Sequence, residues 1–68
     1  MNELPSVALT KRFLALCQHY GSERLAVRVV VLGRNAGAAG LPATNDWTEW
    51  DADEMRAVVD YLGRERQR

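Results

Sequence analysis

Hydrophobic positions recur with helical spacing in three stretches of the chain. In the first stretch, apolar and aromatic residues stand at positions 9, 13, 16, 17 and 20, which is the stripe of an amphipathic helix. Pro5 and Ser6 suit a first helical turn, and Gly21 suits the left-handed position that follows a helix end. The pattern predicts a first helix near residues 6–20.

The second stretch is valine-rich and fits two structures. Val27 and its neighbours favour a strand by propensity, but a strand at 27–32 would need a second copy of the chain as its partner. Ser22 and Glu23 suit a helix start instead. A helix also separates a polar face from an apolar stripe, formed by Arg24, Arg28 and Asn35 and by Leu25, Val29, Leu32 and Ala36 respectively. We therefore predict a helix near 22–39, at the centre of the core, over the intermolecular strand.

The glycines that follow the valines superficially suggest a nucleotide-binding loop. A dinucleotide fingerprint needs Gly-x-Gly-x-x-Gly between a strand and a new helix. Here Gly33, Gly37 and Gly40 have a different spacing, and a loop ending in Pro42 comes next. We interpret the glycines as a seam of small residues that another helix approaches closely, with Gly40 ending the second helix.

The third stretch begins with a strong start signal. Asp51 and Glu54 have the spacing of a capping box, while Trp50 and Met55 are placed for a hydrophobic staple across it. Apolar residues then continue with helical spacing and predict a helix near 51–65. The fold class is all-α, with three helices in a single small domain over residues 1–68.

A chain of 68 residues is marginally stable alone and often needs a disulfide, a metal or a second copy. Cys17 and His19 are each the sole residue of their type, which excludes an intramolecular disulfide and the usual zinc sites. We therefore expect a homodimer. Its predicted interface consists of second-helix residues off the main stripe and of the glycine seam: Val27, Val30, Val31, Gly33 and Gly37.

No pattern of residues indicates catalysis, a cofactor or a metal. Cys17 falls in the apolar stripe of the first helix, and His19 lies near its end, where a protonated imidazole favours the helix dipole. The acidic residues between 46 and 54 lack the spacing of a calcium loop, and helix capping explains several of them. We predict a non-enzymatic protein with no catalytic residue.

The nine basic and nine acidic residues cancel, so no global field attracts nucleic acid or an anionic membrane. Without a long apolar run or a signal peptide, the chain is expected to be cytoplasmic. Tryptophan, tyrosine and arginine dominate protein-binding hot spots, and Trp47, Arg24, Arg28 and Tyr20 are the predicted contacts. Trp47 fits a lid on the core equally well, whereas Trp50 is expected to be structural.

These features predict a small regulator, of inhibitor or adaptor type, that occupies a surface of another protein. Small accessory proteins of phages and mobile elements are one such class, and by analogy with them we expect a phage or mobile-element protein. The alternative is a helix-turn-helix DNA-binding regulator, because Gly21 separates the first two helices and the second carries Arg24 and Arg28. Nucleic acid is the less favoured partner, since the second helix also carries several apolar residues and the chain is neutral.

Overall fold

The computed structural model describes residues 3–68 and shows three α-helices and no strand over that range. Helix α1 spans Val7–Tyr20, α2 spans Glu23–Asn35 and α3 spans Ala52–Arg66. A single 3₁₀ turn, Trp47–Glu49, precedes α3. The all-α prediction is confirmed, and the valine-rich run lies inside α2.

Short-range hydrogen bonds define the ends of α1 and the start of α2. The Ser6 hydroxyl accepts a hydrogen bond from the Leu9 amide at 3.1 Å, and α1 ends at Gly21, whose φ is 111°. Ser22 follows at once and caps α2 by accepting from the Leu25 amide at 3.1 Å. Because two residues make the whole connection, α2 must fold back against α1.

The second helix is shorter than its pattern predicts. It ends at Asn35, and Gly37 then takes the left-handed conformation with φ 98°. The Ala38 amide donates to the Gly33 carbonyl at 3.0 Å, which is the closing bond of a Schellman motif. The predicted end at Gly40 was therefore wrong, because Gly37 already reverses the chain and ends the helix.

The predicted start of α3 is confirmed. The Glu54 amide donates to the Asp51 carboxylate at 2.8 Å, and the Asp51 amide donates to the Glu54 carboxylate at 3.0 Å. Trp50 and Met55, on either side of this capping box, are each only 1% exposed. The start of α3 is thus held both by hydrogen bonds and by burial.

One apolar core lies between the three helices, and the most extensive helix pairing is that of α1 with α3. Helix α2 contacts α3 least, so the expectation that α2 would occupy the centre of the core was wrong. The buried residues come from all three helices and the loop before α3: Phe13, Leu16, Cys17, Ala26, Val27, Val30, Trp50, Met55, Val58, Val59 and Leu62.

Helix α2 also buries a different face from the one predicted. Leu25 and Leu32, from the expected core stripe, are 49% and 59% exposed. The buried face instead consists of Ala26, Val27, Val30 and Gly33. The reason lies on α3, where the Tyr61 ring packs directly over Gly33. A β-carbon would not fit at that contact, so the face of α2 that carries Gly33 can pack against α3.

Candidate functional site

A groove of about 440 Å³ lies between α2 and the loop that precedes α3. Its walls are apolar and come from Val27, Val31 and Trp47. Its rim is polar and consists of Glu23, Arg24, Arg28 and Asn45. We call this depression the Trp47 groove. Its volume falls in the range of sites that accept a ligand or a protruding side chain.

The loop side of the groove is held in place by two side chains. Arg34, in the last turn of α2, donates from Nη1 to the carbonyls of Pro42 and Ala43 at 3.1 and 2.7 Å. The Trp50 indole donates from Nε1 to the Thr44 carbonyl at 2.9 Å. These bonds fix the backbone immediately before Trp47, so this wall of the groove is preorganised.

The turn that carries Trp47 has its own cap. The Asp46 carboxylate accepts hydrogen bonds from the side chain and the backbone amide of Thr48. Those bonds favour the ionised form and lower the pKa of Asp46. The result is a short, locally stabilised turn that presents the Trp47 side chain toward α2.

Trp47 belongs to both the core surface and the groove. Its ring is tilted against that of Phe13, with centroids 5.4 Å apart, and the side chain is half-buried. Trp50 contacts the same Phe13 ring edge-on at 5.3 Å but is almost completely buried. The two sequence-based interpretations of Trp47 are therefore compatible: the side chain covers the core and still offers accessible surface to a partner.

Arg24 and Arg28 stand exposed at the groove rim, one turn apart on α2. Within residues 3–68 the ion pairs are all local to α3 and its C-terminal end: Arg56 with Asp53, Arg64 with Asp60 and Arg68 with Glu65. Neither rim arginine takes part in them. The guanidinium groups of Arg24 and Arg28 are thus free to meet an external partner.

Tyr20, the fourth predicted contact, does not line the Trp47 groove. Its hydroxyl donates to the Leu62 carbonyl at 2.8 Å and so ties the end of α1 to α3. Burial is the main cause that raises the pKa of Tyr20. The structure therefore brings together three of the four predicted partner residues and gives the fourth a structural hydrogen bond.

The predicted dimer interface requires correction. Val30 and Val27 are 1% and 9% exposed and belong to the core, while Gly33 is covered by Tyr61. Gly37 lies beyond the end of α2. Of the five residues, Gly37 is exposed and Val31 is half-buried, so these two keep accessible surface. The burial of Val27, Val30 and Gly33 follows from the rotated face of α2, which places Leu25 and Leu32 outward.

The two residues with the most reactive side chains show no catalytic arrangement. Cys17 is 2% exposed, and burial raises the pKa of its thiol to about 11, so the thiol stays protonated at neutral pH. His19 is exposed in the last turn of α1, with its ring edge-on to Tyr20 at 5.2 Å. In the described part of the chain, no group of three or more His, Cys, Asp or Glu is placed to hold a metal ion.

A larger groove of about 840 Å³ lies between α1 and α3. Its floor includes Leu9 and Val59, and its rim includes Arg12. The two acidic residues that line it, Asp53 and Asp60, are already paired with neighbouring arginines of α3. Arg12 and Arg66 also line it and take part in none of the ion pairs of residues 3–68, but no aromatic side chain forms part of its walls, unlike those of the Trp47 groove.

Sequence reasoning missed Arg34 and Asn45. Arg34 acts through the loop backbone, and Asn45 reaches the rim only because the loop is fixed in that position. No spacing rule signals a contact between a helix end and carbonyls eight or nine residues later.

Among residues 3–68, no helix has the length and hydropathy needed to cross a bilayer. Comparison with family models, with curated proteins and with solved structures finds no match to this chain.

Proposed function

We propose that this protein is a small non-enzymatic regulator, of inhibitor or adaptor type, that binds another protein through the Trp47 groove. The observation that carries the proposal is the convergence of Trp47, Arg24 and Arg28 on one preorganised depression. Tryptophan and arginine are the residue types whose truncation most often weakens protein interfaces. A rigid loop also loses little conformational entropy when a partner binds.

Affinity capture tests this proposal. The tagged protein is expressed in its source cell, and proteins that it retains from the cytoplasmic fraction are identified by mass spectrometry. We expect one partner to be retained by the wild type and depleted from Trp47→Ala. Arg12→Gln serves as a control, because Arg12 is exposed and lies outside the groove. Circular dichroism must show that each variant is folded.

Equal capture by a folded Trp47→Ala variant and by the wild type would exclude the groove as the binding site. Loss of capture with Arg12→Gln, and not with Trp47→Ala, would move the contact to the groove between α1 and α3.

DNA binding is the second candidate, and one observation favours it. Gly21 and Ser22 form a tight turn before α2, and Arg24 and Arg28 on that second helix are exposed and take part in none of the ion pairs found over residues 3–68. The same outward side of α2 carries the exposed Leu25, which reduces its fit to a charged groove. This candidate predicts salt-sensitive binding to a DNA duplex that Arg24→Ala combined with Arg28→Ala abolishes.

The homodimer expected from the sequence stays a prediction, with a changed interface. We propose that it forms through the outward side of α2, where Leu25 and Leu32 are 49% and 59% exposed. They are seven residues apart, so they lie two turns apart on the same side of the helix. Light scattering should give a dimer mass at micromolar concentration and a monomer mass for Leu25→Lys with Leu32→Lys. A monomer mass for the wild type would refute it.

A further inference from the structure

We infer that the occupant of the Trp47 groove is an acidic protein segment that carries one large apolar side chain between two carboxylates. This inference rests on the proposed function and specifies the chemistry of the partner. It follows from the apolar walls of the groove, from the charge at its rim and from the spacing of the two rim arginines.

The walls select an apolar side chain. Trp47 and Val31 are half-buried, and Val27 is 9% exposed at the base between them. Phe13 covers part of the Trp47 ring on the core side, so the ring is fixed against the core. A side chain that enters the groove replaces water on these apolar surfaces, which favours binding. A depression of about 440 Å³ is large enough for one aromatic or long aliphatic side chain.

The rim selects negative charge. Arg24 and Arg28 carry two positive charges, and Glu23 is the one acidic residue that lines the groove. Glu23 lies in the first turn of α2, where the helix dipole already stabilises a carboxylate. The arginines have no comparable partner among the ion pairs of residues 3–68. Carboxylates from outside would form charge-assisted hydrogen bonds with them.

The spacing of the arginines describes how the carboxylates must be arranged. Arg24 and Arg28 are four residues apart on α2, which is about 6 Å along the helix axis. Acidic residues three or four apart on a partner helix have about the same spacing, as do residues two apart on an extended segment. An acidic segment of either form can therefore reach both guanidinium groups while its apolar side chain enters beside Trp47.

Nucleic acid fits these observations less well than a protein segment. A phosphate backbone needs a continuous basic track, whereas this rim includes Glu23 and Asn45 and the whole chain has no net charge. A stacked base would use Trp47 but would leave the aliphatic wall of Val27 and Val31 without a matching surface. Nucleic acid is accordingly an outcome of the test that overturns the inference.

The test uses random twelve-residue peptides displayed on phage and selected on the immobilised wild-type protein. Enriched sequences should contain Asp or Glu at two positions that flank an aromatic residue, Leu or Met. Synthetic peptides are then titrated by fluorescence anisotropy. We expect the double variant Arg24→Gln with Arg28→Gln to weaken binding by at least about tenfold, because two charge-assisted hydrogen bonds are lost. Arg24→Lys with Arg28→Lys should retain most of the affinity.

Arg12→Gln is the matched control and should bind like the wild type, because Arg12 is also exposed but lines the other groove. The arginine variants keep the experiment decisive even if Trp47→Ala fails to fold, since both side chains lie outside the core. A labelled DNA duplex and a labelled single strand are titrated in parallel.

Three results would overturn the inference: no enriched peptide, enriched peptides without acidic residues, or unchanged peptide affinity in the glutamine double variant. Binding to either nucleic acid that depends on Arg24 and Arg28 and exceeds the peptide affinity would also overturn it. If a captured cellular partner needs Trp47 but tolerates the glutamine double variant, the proposed function stands while the acidic segment is excluded.

Discussion

Gly33 is the position at which one methyl group tests the packing of α2 on α3 most sharply. A β-carbon built there would overlap the Tyr61 ring, whereas a β-carbon at Gly63 meets no atom within 4 Å. Both glycines lie within helices, so both Gly→Ala substitutions gain about 0.5–1 kcal/mol of helix preference. The two variants therefore form a matched pair that differs mainly in the Tyr61 contact.

The expected signs are opposite. Gly63→Ala should raise the free energy of unfolding by about 0.5–1 kcal/mol. Gly33→Ala adds an overpacking cost of about 1–3 kcal/mol, which offsets or exceeds the same gain and leaves a net loss of roughly 0–2.5 kcal/mol. In a domain of this size each kcal/mol shifts the melting temperature by about 4–8 °C. Urea denaturation followed by tryptophan fluorescence measures both changes.

A double-variant cycle identifies the cause. Tyr61→Leu shortens the side chain over Gly33, so Gly33→Ala should become stabilising in that background, as Gly63→Ala is in the wild type. If Gly33→Ala stabilises the wild-type protein as much as Gly63→Ala does, the close packing of Tyr61 on α2 is wrong. If its cost persists in the Tyr61→Leu background, Tyr61 is not the group that causes it.

Three further changes test other contacts. Tyr20→Phe removes the hydroxyl that donates to the Leu62 carbonyl. Urea denaturation should show a free energy of unfolding lower by about 1 kcal/mol. If this variant loses partner binding while its stability is unchanged, Tyr20 is a contact residue instead. Burial raises the pKa of Cys17 from 9.0 to about 11, so the folded thiol holds its proton more tightly than the unfolded one. The protonated thiol therefore contributes fully to the free energy of unfolding below pH 9, and this contribution is lost as the pH rises toward 11. Cys17→Ala should therefore lose less stability over that window, and an equal loss would contradict the burial of the thiol. Arg34→Met should speed hydrogen exchange in the loop before Trp47 and should weaken partner capture. Arg34→Lys should restore slow exchange and partner capture. Unchanged exchange in Arg34→Met would show that Arg34 does not hold the loop.

The helix starts could be predicted because their causes are local. Ser22 and Asp51 each accept a hydrogen bond from an amide three residues later, so the residue types at that spacing suffice to locate the cap. Ser6 makes the same bond, although the sequence pattern placed it inside the first turn of α1. Gly21 could be predicted for the same reason, since only a glycine reverses the chain there without steric cost. The end of α2 was misplaced because Gly37 and Gly40 are equally plausible helix ends by residue type.

The orientation of α2 could not be predicted, because its cause lies far along the chain. Two apolar stripes, one containing Leu25 and Leu32 and one containing Val30 and Gly33, satisfy helical periodicity equally well. In the structure the stripe with Val30 and Gly33 faces inward, where the Tyr61 ring leaves no room for a β-carbon at position 33. The same choice of face buries three of the five residues predicted for the dimer interface, Val27, Val30 and Gly33, whereas Val31 and Gly37 stay accessible.

The candidate site could be predicted as a set of residues but not as a place. Residue type alone identified Trp47, Arg24 and Arg28, and Tyr20 by the same reasoning, although its hydroxyl is bonded within the protein. Their assembly into a groove depends on a loop whose position is set by side-chain to backbone hydrogen bonds.

Site-specific photo-crosslinking in the cell shows whether another protein occupies the Trp47 groove. A benzophenone side chain is introduced at Asn45, which is exposed at the groove rim, and in a control at Ala15, which is exposed on α1. After irradiation in the source cell, we expect a crosslink from position 45 to another protein, absent from position 15 and lost when Arg24 and Arg28 are changed to Gln. No crosslink from position 45, a crosslink to nucleic acid, or the same product from both positions would contradict it.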